Sequence, residues 1–537
     1  MSARLSSIRN AWLVAITATV TGGCSIPDMV LPMDAGTDTE PDTAVGPDAD
    51  ATEEGVDGSN LDDGSDADAT SPDVAEVEDA PLGPDQGNDS AAPKDGASND
   101  VGGERAPGEG GESGFDGNAD GGVDAPGDGT TDSPDCGCPY AFVCRAHQCV
   151  QPDALTAGQA HTCAHFADNT VACWGYNGAG ALGNGSTASS TKPVSVSGLP
   201  AVTSVVAGDY FTCAITATAQ NVYCWGDNRS GQLGEQTAAL CNGAACSTTP
   251  VIVAGLSGVE VLAAGSNFAC ARLATGGVKC WGDNTYGQLG NGQGAVGASS
   301  TDPVDVYQLS RAIGISAAGS SACATVQGDA GISVNCWGYD GDNELGDGQN
   351  RNSSVPVAVP NVLNAGSIAS GAFDDNQGFA CTLITQGNAT SQFNSNYPVC
   401  WGANAALQLG SSDITASGPI ADIQLYDVSQ IALGNQHACV LVAGGIVECW
   451  GDDEYGQLAS AAATHAGCVD PCTPTAEPVE LPDTAKVLAA GGDHNCVIVS
   501  SGPVFCWGAN DFGQLGSTTS DTCGTIACSL TPASVEW

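Results

Sequence analysis

The residues of this sequence best suited to chemistry are its cysteines, of which there are 25 among 537 residues. Cysteines at this density either bind metal ions or pair as disulfides. The dominant spacing is Cys-x9-Cys instead of the Cys-x2-Cys of zinc sites, and only six histidines accompany it. The pattern therefore predicts disulfide bonds in an oxidising compartment, with no metal and no other cofactor.

The paired cysteines flank a short turn in each of seven repeats. In the third repeat two β-prone runs, 268–273 and 278–281, are joined through Thr275-Gly-Gly, which is typical of a β-hairpin. Cys270 and Cys280 lie symmetrically about this turn, so we expect them opposite each other and close enough to bond. The predicted hairpin pairs are Cys163 with Cys173, Cys213 with Cys224, Cys270 with Cys280, Cys323 with Cys336, Cys381 with Cys400, Cys439 with Cys449 and Cys496 with Cys506.

Each second cysteine is followed by Trp-Gly. Because side chains alternate along a strand, the tryptophan must point away from the disulfide, and we expect it to be buried on the other face. A Gly-Gln-Leu-Gly segment or a variant of it comes next, and its leucine should fill the space between neighbouring units. These tryptophans recur every 50 to 65 residues or so, a period that indicates an array of similar units. They are Trp174, Trp225, Trp281, Trp337, Trp401, Trp450 and Trp507.

The combined pattern, Ala-Gly-x-x-His-Thr-Cys-Ala and then Val-x-Cys-Trp-Gly-x-Asn-x-x-Gly-Gln-Leu-Gly, resembles the repeat of the regulator of chromosome condensation family. The resemblance covers roughly residues 151–537 and implies an all-β, seven-bladed β-propeller. The main departure is the cysteine pair, which suggests an oxidised, secreted branch. Segment 531–537 matches Lys192–Ser197, and no such strand precedes the first copy. We therefore expect the N- and C-terminal strands to complete one blade and close the ring.

The first residues predict export. Arg4 and Arg9 precede an apolar run, 11–20, that is too short to span a bilayer, and residues 1–23 therefore form a predicted signal peptide. Gly22-Gly-Cys24 resembles a bacterial lipobox, which implies that Cys24 is lipidated and leaves an even number of cysteines for pairing. Ordinary signal cleavage nearby is the alternative, because Thr21 departs from the usual leucine. The resulting expectation is an outer-membrane lipoprotein, surface-exposed or extracellular.

Residues 24–135 differ in composition from the repeats. They carry 31 Asp and Glu against Lys94 and Arg105, with almost no aromatics, and so predict a disordered acidic tether. Calcium binding by 116–121 is the alternative, although no EF-hand spacing is present. Residues 136–150 predict a small two-disulfide knot whose connectivity stays open. Its cysteines are Cys136, Cys138, Cys144 and Cys149.

Six further cysteines form local pairs just after the Gln-Leu segments of copies two, six and seven. The shared repeat position places these pairs on one rim of the predicted ring. They are Cys241 with Cys246, Cys468 with Cys472 and Cys523 with Cys528.

No constellation typical of an enzyme is present, such as Gly-x-Ser-x-Gly or His-Glu-x-x-His. His161, His437 and His494 occupy a repeat position that phenylalanine fills in other copies, which favours packing over catalysis. Carboxylates after Trp-Gly alternate with tyrosine and alanine in other copies, so we expect them to serve turns: Asp227, Asp283 and Asp452. The protein is therefore predicted not to be an enzyme.

Nucleic acid is not expected as a partner, because the repeats offer no basic patch to neutralise phosphates. Residues 151–537 contain seven basic residues, Lys192, Arg229, Arg272, Lys279, Arg311, Arg351 and Lys486, in a chain of formal net charge −50. The chromatin binding and GTPase nucleotide exchange of the namesake family are accordingly not expected here.

The sequence favours a surface-tethered module that binds an unknown protein partner through the loops after Gln-Leu. It resembles secreted members of the family, which include an inhibitor that covers the active site of β-lactamases. Charge complementarity suggests a basic or calcium-coated partner, and membrane contact only through the lipid anchor. The alternatives are a carbohydrate-binding propeller or an enzyme acting on cell-wall sugars, and a structural envelope protein. For the sugar hypothesis, Tyr286, Tyr455 and Phe512 could stack on sugar rings unless they pack between blades.

Overall fold

A computed structural model describes the protein. It covers residues 143–145, 148–237, 239–293, 299–373, 377–386, 395–413, 418–419, 423, 425–460 and 471–537. The predictions for the signal peptide, Cys24, the tether, Cys136, Cys138 and Cys468 lie outside these residues. Every described residue belongs to one structural unit, from Ala119 to Trp537.

The described chain folds into seven antiparallel sheets that follow one another in sequence, preceded by a small hairpin. Within a sheet, an inner strand is followed by the two strands of the cysteine hairpin and then by an outer strand. The inner strands of successive sheets contact one another, and the inner strand of the last sheet contacts that of the first. The fold is thus the predicted all-β, seven-bladed propeller.

The strands are separated by turns in which many glycine and asparagine residues adopt a positive φ. The first hairpin is β1 (Val143–Arg145) and β2 (Gln148–Val150). Blade 1 is β3 (Pro152–Ala157), β4 (His161–Phe166), β5 (Val171–Gly175) and β6 (Ser190–Ser195). Blade 2 is β7 (Val202–Ala207), β8 (Phe211–Thr216), β9 (Val222–Asp227), β10 (Leu240–Cys241) and β11 (Ala244–Ile252). Blade 3 is β12 (Val259–Ala264), β13 (Phe268–Leu273), β14 (Val278–Gly282) and β15 (Ser300–Asp305).

The remaining blades repeat this order. Blade 4 is β16 (Ala312–Ala318), β17 (Ser321–Gln327), β18 (Ile332–Gly338) and β19 (Ser353–Leu363). Blade 5 has three described strands, β20 (Ala365–Phe373), β21 (Gln377–Gln386) and β22 (Ser395–Gly402). Blade 6 is β23 (Val428–Leu433), β24 (His437–Val442), β25 (Ile446–Asp452) and β26 (Cys472–Pro478). Blade 7 is β27 (Ala485–Ala490), β28 (His494–Val499), β29 (Val504–Ala509), β30 (Asp521–Cys523) and β31 (Ile526–Ser534).

Seven disulfides pin the central hairpins, one in each blade, as the spacing predicts. Cys270 and Cys280 lie directly opposite each other in the β13–β14 register, with their Cα atoms 4.0 Å apart. A separation this short is typical of a non-hydrogen-bonded pair in an antiparallel ladder. Each blade is thus cross-linked at its middle. The other six hairpins bond their cysteines in the same register, with Cα separations of 4.0 or 4.1 Å: Cys163 with Cys173, Cys213 with Cys224, Cys323 with Cys336, Cys381 with Cys400, Cys439 with Cys449 and Cys496 with Cys506.

The wider spacings within three of these pairs lengthen the hairpin and leave the register unchanged. Cys213 and Cys224 are 11 residues apart, Cys323 and Cys336 are 13 apart, and Cys381 and Cys400 are 19 apart. In each case the two cysteines still face each other across the ladder. In the two longest hairpins the additional residues extend the paired strands beyond the disulfide, as far as Gln327 opposite Ile332 and Gln386 opposite Ser395.

The seven tryptophans are fully buried between blades, on the side opposite the disulfides. The indole N–H of each donates to a backbone carbonyl in the preceding blade, at the second position of its Gly-Gln-Leu-Gly segment. The pairs are Trp174 to Gln514, Trp225 to Ala181, Trp281 to Gln232, Trp337 to Gln288, Trp401 to Glu344, Trp450 to Gln408 and Trp507 to Gln457. The adjoining leucines, such as Leu233 and Leu289, are also fully buried. As predicted, they fill the space between blades.

The ring is closed between its first and last blades, but one detail of the predicted closure is wrong. The C-terminal strand β31 pairs with β29 of its own blade, and blade 1 has its own outer strand, β6. The matching segments are therefore the final strands of their own units, because the preceding loop folds each one back antiparallel to the Cys-Trp-Gly strand. Closure instead rests on side chains and loops: Trp537 packs edge-on against Phe166 and Trp174 of blade 1.

The β1–β2 hairpin, at the predicted knot, packs against this closure. Val150 is buried in the cluster that joins blades 7 and 1, together with Trp174 and Val535. The backbone register places Cys144 opposite Cys149, and Cys149 is disulfide-bonded. The segment thus covers part of the junction where the two ends of the repeat array meet.

Candidate binding face

One face of the propeller carries the long loops. Consecutive strands run in opposite directions, so the turn after the inner strand and the loop after the Cys-Trp-Gly strand emerge on the same side. In blade 1 these segments are 158–160 and 176–189. We call this side the loop face. The opposite face carries the hairpin turns, such as 167–170, and the short connections between blades.

Recurring polar side chains hold these loops in place from within. In blade 3, Asn284 is fully buried; its Oδ1 accepts from the backbone N–H of Leu289 and its Nδ2 donates to the carbonyl of Gln293. Gln288 donates from Nε2 to Asp283 and accepts the Tyr286 N–H. Most other blades repeat this arrangement. The carboxylates after Trp-Gly therefore organise loops, as the sequence predicted, and the loop face is pre-organised.

Two cystine hairpins extend the loop face at blades 2 and 7, on either side of blade 1. Cys241 bonds to Cys246 and Cys523 bonds to Cys528, and each pair joins a short extra strand to the outer strand of its blade. Asn242 at the tip of the first hairpin donates to the carbonyl of Gly178 in blade 1. Cys472, in blade 6, is also disulfide-bonded. The local pairs of blades 2 and 7 thus form strands instead of irregular loops.

Aromatic side chains form a patch on the loop face across blades 7, 1 and 2. Tyr176 packs edge-on against Phe512 with ring centroids 5.1 Å apart, and against Tyr210 at 5.3 Å. Phe512 remains 41% exposed. Tyr286 makes the same kind of contact with Tyr339 of the next blade. Phe512 and Tyr286, which precede Gly-Gln-Leu in their repeats, therefore pack between blades, and Phe512 also presents a large surface to solvent.

The loop face is acidic around blades 6 and 7. Burial, with help from Asp493, raises the pKa of Asp452 to about 7, and burial raises the pKa of Asp453 to about 6. Burial and then the charge of Glu454 raise the pKa of Tyr455 to about 12. Residues 433–485 contain neither lysine nor arginine. Asp452 and Asp453 are therefore partly protonated near neutral pH, whereas the exposed Glu454 has no cation on the same segment to balance its charge.

The fourth blade departs from the repeat in its loop. Glu344 stands where five other blades have glutamine, and it is only 2% exposed. One carboxyl oxygen accepts the Asp342 N–H and the other a longer bond from the Gly378 N–H of blade 5. Burial raises the pKa of Glu344 to about 7. This carboxyl therefore titrates near neutrality at the junction of blades 4 and 5.

We expect Glu344→Gln to reduce the loss of stability that the protein undergoes as pH rises. A raised pKa means that the folded protein binds more protons than the unfolded chain, so the stability from Glu344 is lost as pH rises from about 4.5 through about 7. Across that pH interval, the free energy of unfolding of the variant should rise by about 3 kcal/mol relative to that of the unaltered protein. Urea unfolding at several pH values measures the gain. Gln288→Glu makes the reverse change in blade 3, and the free energy of unfolding of this variant should fall relative to that of the unaltered protein as pH rises. If the unfolding free energies of Glu344→Gln and the unaltered protein changed in parallel with pH, this role for Glu344 would be excluded.

The three histidines at the phenylalanine position are structural. His161, His437 and His494 are fully buried, and each donates from Nε2 to a side chain of the next blade. Thr212 and Thr162 donate their own hydroxyl protons to backbone carbonyls, which makes the histidines the donors. Burial lowers the pKa of His161 and His437 to about 4 and that of His494 to about 3. They are neutral at physiological pH.

A pocket of about 140 Å³ lies at the axis, lined by the ends of the inner strands and the residues that follow them. In several blades the glycine after the inner strand lies against the next blade: a Cβ at Gly158 would overlap the carbonyl oxygen of Gly208, and one at Gly434 would be 2.5 Å from that of Gly491. The blades therefore meet backbone to backbone at the axis. Among the described residues, no cluster of three or more His, Cys, Asp or Glu is arranged to hold a metal ion.

Comparison with known proteins identifies the repeats. The model of the regulator of chromosome condensation (RCC1) repeat matches residues 168–215, 221–272 and 501–537. A second RCC1 repeat model matches 202–232, 259–288, 428–457 and 486–514. The propeller therefore contains RCC1 repeats. Within the described residues, no helix is long and apolar enough to cross a membrane.

Similar proteins include the ultraviolet-B receptor UVR8 of Arabidopsis thaliana, 26% identical over 67% of this chain and 78% of the receptor. The mouse E3 ubiquitin-protein ligase HERC2 is 28% identical over 59% of this chain, which spans only 6% of the ligase. Among solved structures, Prp20p of Saccharomyces cerevisiae has a TM-score of 0.55 and 20% identity, covering 72% of this chain and 87% of Prp20p. Human WBSCR16 has a TM-score of 0.54 and 20% identity, covering 68% and 94%. These two structures share the fold of this chain.

Proposed function

We propose that this RCC1-repeat protein is an exported, non-enzymatic module of a bacterial envelope that holds a protein partner on its loop face. The observation that carries the proposal is the contrast between its two faces. Short turns occupy one face, whereas the other presents long loops fixed by buried asparagine and glutamine side chains, two of them pinned by their own disulfides. Rigid loops on a rigid scaffold reduce the ordering entropy that binding costs.

The related proteins support a binding function. One solved structure of Prp20p is described with its binding to Gsp1p and histones, and another holds yeast RCC1 bound to Kap60. We infer that this chain also binds protein. The acidic character of the loop face at blades 6 and 7 opposes binding to nucleic acid or to acidic proteins.

The proposed location rests on the cysteines. Nine disulfides join pairs of described residues, and bonds at this density persist in oxidising compartments. We propose that Cys24 carries a lipid that anchors the chain in the outer membrane, and that residues 24–135 form a tether. Cys24→Ser should abolish incorporation of labelled palmitate and release the protein from membranes. Unchanged membrane association would exclude lipid anchoring at this residue.

Proximity labelling on intact cells tests the proposed function, with the full-length protein as bait. A variant lacking residues 240–246 loses one cystine hairpin together with both of its cysteines, so neither is left without its partner. Its control shortens the exposed hairpin turn 217–220 on the opposite face. We expect one protein neighbour to be labelled by the unaltered protein and the control but lost with the loop variant. Equal labelling by all three would contradict binding through the loop face at this hairpin.

A further inference from the structure

We propose that the loop face at blades 6, 7, 1 and 2 docks a loop of a folded protein that bears arginine or lysine. The inference rests on the proposed function and names the chemistry of the partner. The surface consists of an aromatic patch, Phe512, Tyr176 and Tyr210, and a carboxylate margin, Glu454, Asp493 and Asp511. The cystine hairpins of blades 2 and 7 belong to the same blades as the ends of the patch.

The aromatic patch supplies the apolar part of the surface. The three rings form a continuous edge-to-face chain across two blade junctions, so their positions are fixed by contact with one another. Phe512 nonetheless leaves 41% of its surface exposed. Rigid, partly exposed aromatic rings are the residues that contribute most at protein interfaces, and their faces attract guanidinium and ammonium groups.

The carboxylate margin supplies the charge. Asp511 is exposed beside Phe512 and accepts a bond from Gln514, and Glu454 is exposed beside Tyr455. Asp493 accepts a hydrogen bond from Asn435, and its negative charge contributes to the raised pKa of Asp452 and of Tyr455. The described loops of blades 6, 7 and 1 on this face contain neither lysine nor arginine. On the blade 2 side, in contrast, Arg229 already neutralises Asp227.

This arrangement selects one kind of occupant. A cationic side chain placed over Phe512 would also lie beside Asp511, its exposed neighbour in the sequence, and it would offset part of the negative charge of this face. A second copy of this chain is disfavoured, because its equivalent surface is acidic and its formal net charge is −50. The partner is therefore a protein with a basic loop.

The test uses the full-length protein and a phage library of disulfide-cyclised peptides as the probe. We expect selected peptides to be enriched in arginine or lysine. A synthetic peptide made from the best binder should bind about tenfold more tightly than its analogue with citrulline in place of arginine. The difference should shrink as salt rises from about 25 to about 150 mM.

Variants locate the bound peptide. Phe512→Ala should weaken binding about tenfold, and Asp511→Asn and Glu454→Gln should each weaken it about threefold or more. Matched controls on the opposite face are Tyr307→Ala, an aromatic residue that is 49% exposed, and Asp329→Asn. These should bind as the unaltered protein does. Phe512→Leu and circular dichroism separate a lost contact from lost folding.

Each other outcome overturns the inference at a defined point. If the selected peptides were neutral and their binding still depended on Phe512, the proposed loop-face function would stand and the cationic partner would be excluded. Peptides whose binding is weakened only by the opposite-face substitutions would contradict both the cationic partner and the loop-face function. The absence of any enriched peptide would do the same. Binding of a glucosamine oligomer without any arginine peptide would replace the protein partner with a sugar. A dimer in sedimentation experiments that buries Phe512 would replace it with a second copy.

Discussion

Substituting Gly282 with alanine is expected to destabilise the protein by more than about 4 kcal/mol. Gly282 follows Trp281 and has a φ of +106°, a backbone conformation that L-residues rarely adopt. An alanine Cβ would also lie 2.5 Å from the carbonyl oxygen of Asn267 and 2.7 Å from the Cα of Phe268. Both contacts are with backbone atoms at the start of the neighbouring strand, and these atoms cannot shift without disturbing the sheet. Strain and overlap therefore act together.

Gly243→Ala is the matched control for this substitution. Gly243 has a φ of +87° in the turn of a cystine hairpin, and a Cβ there would meet no heavy atom within 4 Å. Gly243→Ala should therefore lower the free energy of unfolding only through backbone strain, by about 1 kcal/mol. Urea unfolding of both variants and the unaltered protein measures the two effects. Equal losses would mean that the close approach at Gly282 does not limit stability.

Replacing Trp281 with alanine should cost about 3 to 5 kcal/mol. This tryptophan is fully buried between blades 2 and 3, in one cluster with Phe211 and Leu233, and its removal leaves a cavity that rigid disulfide-linked hairpins cannot close. Trp281→Phe keeps most of the ring but removes the N–H that bonds to the Gln232 carbonyl. That variant should lose about 1 to 3 kcal/mol.

Trp537→Ala is the control for the tryptophan series. Trp537 is 38% exposed at the junction of blades 7 and 1, so its removal should cost less than that of the buried Trp281. Thermal unfolding with calorimetry would rank the three variants. If Trp537→Ala destabilised the protein as much as Trp281→Ala, the blade junctions would not owe their stability to the buried tryptophans.

Much of the fold could be predicted from the sequence because its signals are local and repeated. The symmetric placement of Cys270 and Cys280 about a glycine turn predicts their register directly, and seven copies of Cys-Trp-Gly predict seven blades. The blade boundaries were harder to predict, since a segment such as 192–197 carries no signal of whether it pairs with the strand before it or with the unit after it. The loop that folds it back onto the Cys-Trp-Gly strand decides this through backbone geometry.

The candidate binding surface could be predicted only in part. The local cysteine pairs indicated one rim, but the contact chain Phe512–Tyr176–Tyr210 joins three blades and has no signal within any one repeat. Glu344 could have been found by aligning the copies, because five others have glutamine at this position. That its pKa is raised follows from burial between blades, which composition alone does not reveal.

The central claim is a ring of disulfide-pinned blades assembled in an oxidising compartment. Mapping the cysteine linkages of the full-length protein, purified from its own cells with free thiols blocked at lysis, tests this claim most directly. We predict peptides joined through Cys163–Cys173, Cys270–Cys280 and the other hairpin pairs, together with Cys241–Cys246 and Cys523–Cys528. Hairpin cysteines recovered mainly as blocked free thiols would contradict the oxidised propeller and the export proposed from it.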